Sequence, residues 1–526
     1  MKTAKFLIVV IAFALIGLSG KGQVIFQKAY GGAGSDEGFS VQQTKDSGYI
    51  VAGGLYIPMV AGYMYLIKTN LYGDTLWTKT YSIINGDGGA QCVQQTTDGG
   101  YILAGGVYVA TNGGTDIYLI KTDSIGDTLW TKIYTGNFNQ TAYFIQQTFD
   151  GGYIITGQTS SFGAGGYDIY LIKTNSLGDT LWTRTFGGTG KDVGMAVQQT
   201  LDSGYIVTGY INGDTPSEDL CLIKTNSNGD TLWTKTYGGI HEDRGNSVRQ
   251  TTDGGFIIAG RTCSFGVGVC DVYLLKTDSI GNILWSKTYG GGFEDGGYSV
   301  DLTNDGGYIV TGYFSTSTLF VLRAYLIKTN STGDTLWTRS YGGSGNERGY
   351  SIHQTFDGGY IMLGYTASFG SGSSDFYLIK TDSTGNGGCN FQNDTTQVNS
   401  QITPFTNQPL QISSGSIVLN YPSIISSGGI VTNLCSTEGI AELYFPPSLL
   451  LSPNPFTLQT TLTLQGTYHN PTLFIYNLLG QEVRSIAVGT NKQVTIPRSN
   501  LPAGMYFYKL IEENKEVIGI GKMMVE

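Results

Sequence analysis

Acidic side chains recur at one aligned place in this chain. Asp36, Asp192, Asp243, Asp295 and Glu347 each stand in a link leading into a repeated apolar strand, while Gln140 and Gly88 break the series. Carboxylates gathered around one opening would favour an oxygen-ligated cation such as calcium, or a cationic ligand. The simpler role open to the same residues is to accept hydrogen bonds from the neighbouring repeat's loop. Catalytic groups are scarcer. Histidine occurs three times, at His241, His353 and His469, which excludes a three-histidine metal centre in the repeats. No HExxH pair, Walker loop, complete GxGxxG or CxxC spacing is present. Two acids can suffice for glycoside hydrolysis. Glu242 with Asp243 and Glu294 with Asp295 are adjacent pairs, but neighbours along an extended segment diverge. No cofactor is expected unless the acids hold calcium.

The six cysteines suggest redox chemistry of a structural kind. The loop TCSFGVGVCD carries Cys263 and Cys270 where two other repeats read TSSFGAGGYD and TASFGSGSSD. A disulfide across that hairpin is the simplest reading in an exported chain. Cys389 with Cys435 is a second, weaker candidate pair, and Cys92 and Cys221, on strands of different repeats, are read as buried thiols.

These residues are carried by a repeat of about 52 residues. Trp77, Trp130, Trp182, Trp233, Trp285 and Trp337 are spaced by 53, 52, 51, 52 and 52 residues. Each unit offers four short β-rich segments, such as AYFIQQT, GYIITG, DIYLIKT and DTLWTRTF. An Asp-Gly-Gly or Asp-Ser-Gly turn between the first two, from Asp46 to Asp357, occurs seven times, with residues that tolerate positive φ. The third segment also recurs seven times, from Lys68 to Lys380, but only six tryptophan strands follow. VIFQKAYGG near the N-terminus supplies the missing one, with Phe26 lying 51 residues before Trp77. The expected fold is therefore all-β: a seven-bladed β-propeller of four-stranded blades, closed by the N-terminal strand as the outermost strand of the last blade. Trp77, Lys79 and Tyr81 alternate onto one face and are read as packing between neighbouring repeats.

The chain has 78 glycines and 35 tyrosines in 526 residues, 13% charged residues and a net charge of −10. That excludes a basic surface for nucleic acid. MKTAKFLIVVIAFALIGLSGKGQ has the lysines, apolar core and small residues of a cleaved secretory signal. No later stretch approaches the length of a membrane-spanning helix.

Two resemblances follow from particular motifs. TDSIGDTLW, with Gly126 four residues before Trp130, resembles the blade motif of pyrroloquinoline-quinone-type propellers, with a turn one residue shorter, and carries no quinone site over. The repeat as a whole resembles propeller repeats of secreted bacterial surface proteins. From about Pro446 the repeat gives way to LLLSPNPFTLQTTLTL, NLLGQEV, NLPAGMYFYKL and GIGKMMVE. This tail resembles the type A C-terminal sorting domain of the type IX secretion system, through Pro453, Asn454, Pro455, Gly480, Leu501, Pro502, Ala503, Gly504, Tyr506 and Lys522. The resemblance implies an Ig-like β-sandwich that passes the chain to the type IX machinery.

The expected organisation is a signal peptide at 1–22, the repeats at 23–383, a β-rich connector docked on them at 384–445 and the sorting domain at 446–526. The expected function is that of a non-catalytic secreted or cell-surface binding or adhesion protein, whose partner is an extracellular glycan or protein met by variable loops. The alternative is an extracellular polysaccharide hydrolase using loop carboxylates.

Overall fold

The computed structural model describes residues 23–57, 61–83, 87–109, 113–212, 217–316, 321–394 and 396–400. Beyond these it describes 405–406, 411–413, 417–419, 424–426, 430–436, 449–452, 456–464, 471–477, 481–488, 493–499, 501–511 and 517–525. The expected signal peptide lies outside them. Contacts divide the chain into two compact units, Met1–Thr437 and Glu438–Glu526.

The first unit contains seven antiparallel sheets, numbered here in chain order by their first strands: Glu37–Gln43, Gly88–Gln95, Gln140–Gln147, Val193–Gln199, Asp243–Gln250, Gly296–Leu302 and Glu347–Gln354. Strands one to four follow each other along the chain in sheets 1 to 6. In sheet 7 the fourth strand is Phe26–Gly31, with Phe26 opposite Lys380 and Tyr30 opposite Phe376.

Every sheet also has a fifth strand, drawn from residues 391–436. Phe391–Asn393 joins sheet 6, Gln397–Ser400 sheet 5, Phe405–Thr406 sheet 4 and Gln411–Ser413 sheet 3. Ile417–Leu419 then joins sheet 2, Ile424–Ser426 sheet 1 and Ile430–Ser436 sheet 7. The segment thus visits the sheets in reverse order and hydrogen-bonds to an edge that would otherwise be left unpaired.

The expectation of a β-propeller of four-stranded blades closed by the N-terminal strand is therefore corrected. The sheets are five-stranded, each is open at both edges, and none is closed into a barrel or propeller. Phe26–Gly31 is not outermost, because Ile430–Ser436 covers it. The resemblance to propeller repeats falls with that expectation. Its physical reason is that the fifth strands come from a segment with no repeat period of its own.

Successive sheets are held together by side chains. Apolar clusters form between each consecutive pair, and another joins Ile361, Leu363 and Phe376 of sheet 7 to Val41, Tyr49 and Val51 of sheet 1. The fourth-strand motif makes the same joint. Trp77 packs edge-on against Tyr101, the Tyr81 hydroxyl donates to the carbonyl of Gly126 at 2.6 Å, and Lys79 pairs with Asp127 at 2.9 Å. Gly126 has φ +84, and a Cβ there would stand 2.9 Å from the Trp77 ring. Gly126→Ala is accordingly expected to cost about 2 kcal/mol through backbone strain and collision, measurable as a lower urea midpoint with unchanged m-value.

A disulfide joins Cys263 to Cys270 across the loop of sheet 5. Cys389 is disulfide-bonded, and its sulfur lies 3.5 Å from the carbonyl of Leu434; the side chain of its expected partner Cys435 lies outside the described residues. Cys92 and Cys221 are buried free thiols.

The second unit has a sheet of Leu449–Ser452, Gln459–Leu464 and Gln493–Pro497, and another of Glu482–Ala487, Thr472–Tyr476, Gly504–Ile511 and Val517–Val525. Their alternating apolar residues share one core, including Leu462 and Ile496 from the first sheet and Leu473, Ile475 and Leu510 from the second. Tyr506 is buried there and its hydroxyl donates to the Pro502 carbonyl at 2.9 Å. Leu501 is buried, Pro502 and Ala503 are exposed, and Gly504 opens the strand that pairs with the one containing Lys522. Pro453, Asn454, Pro455 and Gly480 lie outside the described residues.

Candidate functional site

Each first strand carries a β-bulge at the same place. The register with the second strand skips Phe39, Gln91, Tyr143, Met195, Asn246, Tyr298 and Tyr350 in sheets 1 to 7. A bulge turns its extra side chain out of the alternation and re-aims it. All seven line one cavity of about 310 Å³. Residue type varies widely here, whereas the apolar residue two places on is Val or Ile in every copy.

The lining is asymmetric. Where sheets 1 and 2 place Gly54 and Gly106 on their second strands, sheets 4 to 7 place Tyr210, Arg261, Tyr313 and Tyr365. Rings crowd on that side. Tyr298 lies 4.8 Å from Tyr350 and 5.7 Å from Tyr313, and Phe39 lies 5.2 Å from Tyr350, centroid to centroid. Arg244 covers the face of Tyr210 at 4.6 Å, and Arg348 that of Tyr313 at 4.8 Å. A second cavity of about 170 Å³ opens among Tyr210, Arg244, Arg261, Tyr298 and Tyr313.

Acids and hydroxyls fix the guanidinium groups. Arg261 donates to Glu242 at 2.7 Å and Glu294 at 2.8 Å, and Arg348 donates to the Tyr298 hydroxyl at 3.1 Å. Arg244 pairs with Glu218 and with Glu242, the latter at 2.9 Å. Burial works against the charge of Arg261, but Tyr313, Glu242 and Glu294 outweigh it and raise its pKa. The Nε donors of Arg261 and Arg348 are buried and have no partner among the described residues. Burial pushes Tyr210 up to about 12, so its phenol stays neutral beside fixed cations and apolar ring surface. Such a surface can stack on the C–H faces of a polyhydroxylated ligand and bond its hydroxyls.

The other end of the large cavity is a hydrogen-bonded seam. Gln42, Gln94, Gln146 and Gln198 each accept the backbone N–H of the next sheet, at 2.6 to 2.7 Å. At the next three aligned positions stand Arg249, Asp301 and His353, with Asp301 taking the glutamine's place by accepting from Gln354 N at 3.3 Å and facing His353 Nδ1 at 3.2 Å. His353 thus replaces one member of a structural seam.

The acids singled out from the sequence lie elsewhere. Asp36, Asp192, Asp243, Asp295 and Glu347 are 0–1% exposed and sit in the joints between sheets, not on an open mouth. Asp36 accepts from Gly32 N at 2.6 Å and Tyr56 N at 2.8 Å, and Asp192 and Asp295 repeat the pattern with Gly188 and Asn212, and with Gly291 and Ser315. Asp243 accepts from Gly239 N and the Ser264 hydroxyl, Glu347 from Gly343 N and the Thr366 hydroxyl. Among the described residues no three His, Cys, Asp or Glu side chains form a metal cluster. The loops between repeats carry no sign of the bulge residues or the Tyr–Arg wall, which sequence alone did not bring out. Aligning the seven copies strand by strand, two residues before the invariant Val or Ile, brings both out.

Residues 451–526 match the secretion system C-terminal sorting domain family. No curated protein matches the chain. Among solved structures, the extracellular domain of a one-component system from B. thetaiotaomicron is similar at 11% identity, over 93% of this chain and 81% of that one, with a TM-score of 0.24. The extracellular domain of a hybrid two-component system from the same organism is similar at 8% identity, over 94% and 98%, with a TM-score of 0.15. At such scores the likeness carries no argument about fold or function. The chain is thus an exported protein that carries a C-terminal sorting domain and reaches the outside of the cell. Among the described residues no helix is long and apolar enough to cross a membrane.

Proposed function

We propose that the first unit is a non-catalytic module that binds an extracellular glycan, exported by the type IX system through a type A sorting domain. One observation carries the reading: seven bulges aim side chains of five different types into one cavity of a scaffold that is otherwise repeated. Uniform positions maintain the scaffold, and the variable, re-aimed position is where recognition is selected. The ring array of Phe39, Tyr298 and Tyr350 supplies stacking surface, and Arg244 and Arg261, which line the smaller cavity, supply directional donors. At the Tyr–Arg wall Glu218, Glu242 and Glu294 are each engaged by a guanidinium, and at the seam Asp301 is held by Arg249 and His353. That arrangement serves positioning better than proton transfer or attack on a sugar, and it favours binding over hydrolysis.

A glycan array probed with the purified mature chain tests this. Retention of at least one class of glycan, recovered uncleaved after prolonged incubation, is the expected outcome. Release of shorter saccharides would replace the binding reading with the hydrolase.

A further inference from the structure

The joints between sheets hold a second set of acids. Near the start of the third strand of sheets 3, 4, 5 and 7 stand Asp168, Asp219, Asp271 and Asp375. Each faces the acid at or just before the start of the first strand of the following sheet, giving the pairs Asp168–Asp192, Asp219–Asp243, Asp271–Asp295 and Asp375–Asp36. In every pair a glycine intervenes: a Cβ on Gly187, Gly238, Gly290 or Gly31 would stand closer than 3.0 Å to an oxygen of both carboxylates. The oxygens converge on one small space beside that backbone.

These carboxylates are half satisfied. In Asp168, Asp271 and Asp375, which are 1–2% exposed, Oδ2 accepts backbone N–H from Ala164, Val267 and Ser371 respectively. Their Oδ1 atoms, the ones turned to the shared space, are buried with no partner among the described residues, as is Oδ1 of Asp219. An unpartnered buried carboxylate oxygen beside a second carboxylate is costly unless a positive charge joins it. Burial, with the facing carboxylate adding to it, raises Asp168, Asp219 and Asp375 to about 6.

The repeat shows what belongs there. Between sheets 6 and 7 the aligned residues are Arg323 and Glu347, and the Arg323 guanidinium donates to the carbonyl of Gly342 at 3.1 Å. Gly342 is the counterpart of the glycines that part the carboxylates elsewhere. In this one joint an acid is replaced by a covalently attached cation, whose charge acts on Glu347 and lowers its pKa against the effect of burial. Between sheets 2 and 3, Asp116 is matched by Gln140, an amide; between sheets 1 and 2, Tyr63 and Gly88 leave no charge at all.

We propose that the four Asp–Asp joints are divalent-cation sites of calcium type, in which one ion bridges a carboxylate of one sheet to a carboxylate of the next. Carboxylate oxygens from two elements, completed by water, are the donor set calcium takes, and sites with few charged ligands suit the millimolar calcium met by extracellular modules. Bound ions would tie sheets 3 to 4, 4 to 5, 5 to 6 and 7 to 1, while between 6 and 7 the charge of Arg323 already acts on Glu347. The glycan-binding reading does not enter this inference, because these acids lie outside both cavities.

The test is metal analysis of the mature chain, stripped with chelator and dialysed against millimolar calcium, beside thermal melts with and without the ion. Four calcium ions per chain and a raised melting midpoint are expected. The double variant Asp271→Arg with Asp295→Glu, which copies the natural Arg323–Glu347 joint, should fold and lose one ion of the four. No retained calcium and no thermal shift would overturn the proposal. So would a folded double variant that keeps as many ions as its parent.

Discussion

Deleting residues 451–526 is expected to abolish appearance of the chain outside the cell that makes it, with the truncated protein accumulating inside the envelope. Immunoblots of whole cells, envelope and medium measure this. Because a truncated chain can fail for other reasons, the reciprocal experiment is needed. A secretory signal and residues 438–526 fused to a neutral reporter should carry the reporter out. The second compact unit has its own core of Leu462, Leu473, Ile475, Ile496 and Leu510, so it has the apolar interior of a transferable module. A reporter left inside would remove the sorting function from residues 451–526.

The largest effect on stability is expected from the hairpin aspartates. Lys121 is nearly buried, 5% exposed, and its ammonium meets Asp98 at 2.9 Å and the Thr122 carbonyl at 2.9 Å. Six further copies of the pair run from Lys68–Asp46 to Lys380–Asp357. Asp98→Ala strands a buried charge and should cost about 3 kcal/mol. Lys121→Met, which removes the charge and keeps the stem, should cost much less. Equal losses in the two variants would show that the pair acts through packing alone.

The same pairs fix the response to acid. Burial works to raise Asp98, Asp253 and Asp305, but the neighbouring threonine hydroxyl and lysine outweigh it and hold each at about 2. An unfolded aspartate titrates near 3.9. The native state therefore binds fewer protons than the unfolded chain between these values, and the stabilisation, complete above about pH 4, is lost as pH falls toward 2. Thermal melts from pH 5 to pH 2 should show a falling midpoint, weaker in Asp98→Ala.

Much of this was legible in the sequence for a physical reason. The spacing of Trp77 to Trp337 reports four strands per repeat, because each strand repeats its alternation in every copy. The pairing of Phe26–Gly31 with Asp375–Thr381 follows from counting seven lysine strands against six tryptophan strands. The fifth strands were hidden because Phe391–Asn393 and its successors are two to seven residues long, too short for an alternation of side chains to show. Asp36 and its aligned acids were found, but their partners Asp168 and Asp375 were not, since they sit inside strands that read simply as DIYLIKT and DFYLIKT. The binding wall was missed for a similar reason: Tyr298 and Tyr350 fall inside strands, and only the bulge reveals that they leave the alternation.

The central claim is that recognition occurs at the re-aimed residues. Isothermal titration of a glycan retained on the array, into the parent chain and into Tyr298→Ala, tests it most directly, with Leu129→Ser as an exposed control on a fourth strand away from both cavities. Tyr298 touches Tyr313, Tyr350 and Arg348, so its loss should weaken binding by about tenfold or more, the scale of one stacked aromatic anchor, with Leu129→Ser unchanged. An affinity in folded Tyr298→Ala equal to that of the parent would contradict the account.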